Sequence, residues 1–204
     1  MATLILDQDV EKRVRESRHA SGLDRYDEVW EGVYMMAPLA NNEHQILAFR
    51  LAVICQEATG WDDENQVFAG INLSDRDEGW TENYLVPDVA VFLKGTKAQD
   101  RETHWLGGPD FAIEIVSLDD RSRDKLPFYA KVATRELVLL DRYPWSLELF
   151  RLKRGKLQSQ GKITPDDKQS LASDVLDLTF QMQGGSPRPR IAVVHSPSGK
   201  TWKV

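Results

Sequence analysis

Two carboxylates in this 204-residue chain stand where hydrocarbon is expected. In Val86-Pro-Asp-Val-Ala-Val-Phe-Leu93, strand periodicity sends Val89, Val91 and Leu93 to one face and Asp88, Ala90 and Phe92 to the other, which makes Asp88 the anomaly. In Phe111-Ala-Ile-Glu-Ile-Val116, the same alternation separates Phe111, Ile113 and Ile115 from Ala112, Glu114 and Val116. Glu114 is the second anomaly. A carboxylate inside an apolar strand costs free energy unless a cation or hydrogen-bond donors meet it, so two on neighbouring strands point to a shared partner. A divalent metal with oxygen ligands is the natural candidate.

The elements that must position these groups follow from the pattern around them. Arg25 to Pro38 reads as two strands turning at Glu31-Gly32. A helix starts near Asn42, with Gln45 completing a capping box, and runs to Thr59-Gly60. Its apolar stripe is Leu47, Leu51 and Ile54, widened by Ile46, Phe49 and Val53, and Glu43 lies in its first turn. Residues 65–73 read as one strand, and the long connection 94–109 as a functional loop. A second helix begins near Ser122 or Asp124, tolerates Pro127 in its first turn and buries Leu126, Tyr129, Ala130 and Ala133. Glu136 to Asp141 is apolar enough for a central strand. Hairpins turn at Arg154-Gly155 and at 196–199, with a Gly184-Gly185-Ser186 linker between them.

Composition narrows the class. With 41% hydrophobic residues and no apolar run of membrane-spanning length, one globular domain with appendages is expected. The first residues turn charged too soon for a secretory leader, which points to a cytoplasmic protein without a membrane partner. Cys55, the only cysteine, excludes an internal disulfide and a cysteine zinc cage, and LAVICQEA reads as helix core. The net charge of −6 argues against coating nucleic acid by bulk electrostatics, though not against a local basic groove.

Helix, three strands with carboxylates on the second and third, helix, strand: this α/β order resembles the αβββαβ core of the PD-(D/E)XK nuclease superfamily, with a mixed central sheet and added β-hairpins. More narrowly, EGVYMMAP, NEHQ, VPDVAVF, PDFAIEIVS and KLPFYAKVATRELVLLDR make the chain similar to the Uma-two family, grouped with the restriction endonucleases. The resemblance implies a nuclease-like domain over 25–181, an N-terminal extension over 1–24, and a linker with a C-terminal hairpin over 182–204. It implies Asp88 and Glu114 as ligands of Mg²⁺ or Mn²⁺, and phosphodiester hydrolysis by metal-activated water on nucleic acid, with DNA the expected polymer. The superfamily lysine belongs two residues after Glu114, where this chain has Val116; Lys125 is its matching replacement. Glu43 matches a further catalytic carboxylate on the first helix, Ala133 stands where relatives usually carry glycine, and a homodimer is expected from the superfamily.

Each of these residues also admits a plainer role. Asp88 after a proline also suits a turn hydrogen bond, and Glu114 an ion pair with Arg121 or Arg123. Lys125 reads equally as solvated, Glu43 as a helix-dipole partner and His44 as a helix-end histidine. Arg151, Lys153, Arg154, Lys156 and Lys162 suit either a phosphate backbone or a solvated rim. The rival class is a non-catalytic nucleic-acid-binding or scaffold module, in which Asp88 and Glu114 do not converge or Lys125 points to solvent. A third reading, hydrolysis of another phosphate ester, calls for a deep narrow pocket.

Overall fold

A computed structural model of the chain describes residues 7–37, 40–117 and 121–204. The leader reading rests largely on residues 1–6, and the first hairpin is expected to end at Pro38; both lie outside the described residues. Among the described residues no helix is long and apolar enough to cross a membrane.

The N-terminal helix α1 (Gln8–Ala20) is capped by the Asp7 carboxylate, which accepts from the amides of Asp9 and Val10. Strands β1 (Glu28–Trp30) and β2 (Val33–Met35) form the expected hairpin, and Glu31 and Gly32 both take positive φ, 47° and 82°. That geometry matches the right-handed twist of the flanking strands.

Helix α2 (Asn42–Thr59) starts as expected, but its cap is Asn41, whose side chain accepts from the His44 amide. It buries Leu47, Ala48, Leu51, Ile54 and Cys55, while Ile46 and Phe49 are exposed. The stripe is narrower than expected because, at about 100° per residue, positions 46 and 49 fall outside the arc these five residues sweep.

Three strands then approach the centre. They are β3 (Gln66–Phe68), β6 (Val89–Phe92) and β9 (Phe111–Val116), with the short β4 (Leu73–Ser74), β5 (Tyr84–Leu85), β7 (Gln99–Asp100) and β8 (Trp105–Leu106) interspersed. The single strand expected over 65–73 is therefore split. Gly70 turns the chain at φ +79°, so close to the Tyr26 ring that a Cβ there would stand 2.9 Å from it, and Leu73–Ser74 joins another sheet. The connection 94–109 likewise carries β7 and β8.

A 3-10 turn (Ser122–Lys125) leads into α3 (Leu126–Lys131), then β10 (Glu136–Arg142), β11 (Trp145–Lys153) and β12 (Lys156–Ile163). The chain ends with β13 (Leu171–Ala172), β14 (Leu178–Gln183), β15 (Arg190–His195) and β16 (Thr201–Lys203).

The central sheet runs β12-β11-β10-β9-β6-β3. Only β9 and β10 are parallel, and α3 lies in the crossover such a pair needs. The order α2-β3-β6-β9-α3-β10 is the expected αβββαβ core. A second sheet, β2-β1-β5-β4-β8-β7, and a third, β13-β14-β15-β16, complete the fold.

Alternation along β6 and β9 separates two cores. Val89, Val91, Phe111, Ile113 and Ile115 pack with α2 and with Phe180, Ile191 and Val193 of the third sheet. Ala90, Phe92 and Ala112 pack with Tyr129 of α3 and with Leu73, Leu85 and Trp105 of the second sheet, where Phe92 and Trp105 stack at 3.6 Å. Glu114 follows Ala112 on that second face.

Ala133, expected in the buried stripe of α3, is instead exposed at φ +64°, two residues past the helix end. The left-handed conformation is disfavoured for a residue with a Cβ. Ala133→Gly should therefore raise unfolding stability by about 1 kcal/mol. In urea titrations this reads as a higher midpoint with an unchanged m-value; an unchanged or lower midpoint would mean that the left-handed backbone carries no strain.

Candidate active site

The β6–β9 pairing places the two anomalous carboxylates side by side. Val89 stands opposite Ile113, so one step further along the register Asp88 meets Glu114. Asp88 lies just before β6, and its Oδ2 accepts the Ile115 amide at 2.7 Å. Its Oδ1 lies 3.2 Å from Nε2 of His44 on the first turn of α2.

Glu114 is 3% exposed and is met from α3 and from the 3-10 turn before it. The Tyr129 hydroxyl donates to its Oε1 at 2.5 Å, and the Lys125 ammonium lies 3.1 Å from both carboxylate oxygens. Lys125, with a side chain 10% exposed, also donates to Glu28 of β1 at 2.9 Å. Glu28 is itself held by the Val86 amide and the Trp30 indole N–H, each at 2.8 Å. The ion pair that Arg121 or Arg123 was to supply is thus made by Lys125; Arg121 binds Asp124 and Arg123 binds Glu148.

Burial pushes the Glu114 carboxyl up to about 8; Lys125 opposes the rise, the Glu28 and Asp88 carboxylates add to it, and the Tyr129 hydrogen bond lowers it. Burial, followed by the Glu114 charge, drives the Tyr129 phenol well above its ordinary value. Glu114 and Glu28 share the Lys125 ammonium, and the Asp88 charge acts on Glu114 from beside it.

The donors are hard carboxylate oxygens, suited to Mg²⁺ or Mn²⁺. Among the described residues no three of His, Cys, Asp and Glu form a ready metal cage. The donor set fits a cation that keeps several waters and takes one or two carboxylates.

Glu43, the fourth residue singled out by sequence, is engaged elsewhere. Its carboxylate lies 3.3 Å from Arg142 and 3.8 Å from Arg188, while its neighbour His44 is the helix residue that reaches Asp88. Arg142, 2% exposed on its side chain, also donates to the Val116 carbonyl and to Ser117 Oγ. In the basic hairpin, Arg151 is neutralised by Glu136 and Asp174, each at 2.7 Å. Asp110, of the second Pro-Asp pair, accepts from the Leu93 amide and from Arg135.

Sequence reasoning missed Glu28 and the hydroxyl of Tyr129, and read His44 only as a helix-end residue. Tyr129 follows Lys125 by four residues, one turn on, and that spacing carried a usable signal. Glu28 had none, because only the pairing of β1 with β5 brings it to Val86.

With a folded value near 8 against 4.5 in the unfolded chain, Glu114 makes the native state bind more protons between those limits. Stability from this group is therefore fully present below pH 4.5 and is lost as pH rises towards 8. Thermal unfolding of metal-free protein should show a Tm falling across this window, and Glu114→Gln should flatten the fall. Parallel curves for the two proteins would remove Glu114 as the titrating group.

The family model described as "Uma2: Putative restriction endonuclease" matches residues 20–197. A crystal structure described as that of a putative nuclease belonging to DUF820, from Anabaena variabilis ATCC 29413, is similar at a TM-score of 0.58 and 17% identity. That likeness covers 76% of this chain and 85% of the other, and at this identity it speaks to the fold. No curated protein matches the chain.

Proposed function

Because the chain belongs to the Uma2 family, described as "Putative restriction endonuclease", we propose that it is a Mg²⁺- or Mn²⁺-dependent endonuclease hydrolysing phosphodiester bonds of DNA. The observation that carries this reading is the Lys125 ammonium, 3.1 Å from Glu114, beside a carboxylate pair drawn together by the β6–β9 register. The rival non-catalytic module calls for Lys125 in solvent, whereas its side chain is 10% exposed.

Asp88 and Glu114 would hold the cation through oxygen; when bound, it supplies a counter-charge for the phosphate and acidifies a water. In the reaction a water gives up a proton to solvent and its oxygen bonds to phosphorus as the P–O bond to one sugar oxygen breaks, and that oxygen leaves as a hydroxyl by taking a proton from solvent. Lys125, clamped between Glu114 and Glu28, holds a positive charge where the phosphoryl oxygens gain negative charge in the transition state. The Ile115 amide fixes one oxygen of Asp88, and the Tyr129 hydroxyl fixes one oxygen of Glu114, so neither carboxylate must reorganise during the step. Acting as a homodimer, two such sites would serve the two strands.

Calorimetry with Mn²⁺ tests the ligands without a guessed substrate. Wild type should bind, and Asp88→Asn and Glu114→Gln should each lose that binding. Lys125→Ala should retain metal but lose about 10²–10³-fold in the rate of plasmid cleavage. Variants that bind Mn²⁺ like wild type would place the metal elsewhere, and a Lys125→Ala protein with full cleavage would remove the lysine from the chemistry.

A further inference from the structure

Beside the carboxylate site lies a charge pattern opposite to that of the chain as a whole. Arg142 and Arg188 flank one acid, Glu43, and the charges of Arg50 and Arg190 reach Arg188, in a protein of net charge −6. Arg142 is committed to structure through Asn41, Val116 and Ser117. Arg188 is not balanced in the same way. It stands 3.8 Å from a carboxylate that Arg142 already holds at 3.3 Å, with its guanidinium 5.7 Å from the centre of the Trp145 ring.

Arg50 on α2 and Arg190 at the start of β15 are exposed, and among the described residues neither has an ion pair. Both stand near enough for their charges to act on Arg188, whose pKa is lowered by burial, pulled back up by Glu43, and lowered further, by smaller amounts, by Arg50 and then Arg190. Holding like charges together costs free energy in the ligand-free protein, and the one acid beside them, Glu43, is shared with Arg142. An anion shared by them relieves that cost.

We propose that Arg188, Arg190 and Arg50 form a phosphate-backbone track for duplex DNA that leads into the carboxylate site from the α2 side. The inference rests on the nucleic-acid reading above and names the residues that hold the polymer. Position supports it. Glu43, at the inner end of the track, adjoins His44, which touches Asp88 at 3.2 Å. Arg142 links the same point to the end of β9 through the Val116 carbonyl. Guanidinium groups suit this task because their planar fork grips phosphate oxygens in pairs and they stay charged even when partly desolvated. The rival basic surface, the β11–β12 hairpin, has its Arg151 neutralised by two acids.

The test is fluorescence anisotropy of a labelled DNA duplex of about 20 base pairs, titrated at several salt concentrations with Ca²⁺ in place of Mg²⁺. Each of Arg188→Gln, Arg190→Gln and Arg50→Gln should lower the slope of log K against log salt by about 1, and Arg188→Gln with Arg190→Gln combined by about 2. Lys156→Gln at the tip of the β11–β12 hairpin should leave the slope unchanged. Arg190 and Arg50, being exposed, keep the test valid if the Arg188 variant misfolds. Unchanged slopes in the arginine variants, with wild type binding duplex, overturn the track and leave the nuclease reading intact. Loss of slope in a protein that binds no Mn²⁺ and cleaves nothing supports the track while the nuclease reading falls. A wild type that binds no duplex but binds Mn²⁺ overturns the track together with DNA as the polymer.

Discussion

The Glu114 carboxylate, buried in the middle of an apolar strand, is the constraint around which the rest of the structure is arranged. An unpartnered charge in that position would cost several kcal/mol, so the chain must bring donors to it. They come as the Lys125 ammonium from the end of the 3-10 turn and the Tyr129 hydroxyl from α3, four residues apart. The crossover between the parallel strands β9 and β10 is what carries α3 over this face. The same element that closes the sheet topology therefore supplies the chemistry.

Lys125 then requires its own support, and the second sheet provides it. Glu28 accepts from Lys125, Val86 and Trp30, so β1, the segment just before Asp88 and the lysine are fastened together at one carboxylate. Its neighbour Asp27 faces other partners. It accepts from the Arg18 guanidinium of α1, the Tyr34 hydroxyl and the Ala37 amide. Two consecutive acids thus divide their work, one tying α1 to the hairpin and the other tying the hairpin to the lysine.

Charge is distributed unevenly for a related reason. In the function and track proposed above, the carboxylates would hold a cation and the arginines a phosphate chain, and the first turn of α2 lies beside both Asp88 and Arg188. His44 and Glu43, adjacent on the first turn of that helix, touch one group each. The net charge of −6 averages over these opposed surfaces and describes neither.

What the sequence determined alone was everything that local periodicity and backbone sterics carry. The alternation in 89–93 and 111–116 assigned the two faces, and Glu114 was conspicuous among isoleucines. Glu31-Gly32 and Arg154-Gly155 marked their turns because both central residues need positive φ. Asp88 and Glu114 were legible as a pair, and Lys125 through its resemblance to a family motif. Tertiary structure decided what depends on register between distant segments. Glu28 meets Lys125 across 97 residues, Arg142 meets Glu43 across 99, and Arg188 reaches Glu43 from the far end of the chain. No period of two or 3.6 residues encodes those meetings. They follow from which strand pairs with which, and that is settled by burying two apolar faces of one sheet at once.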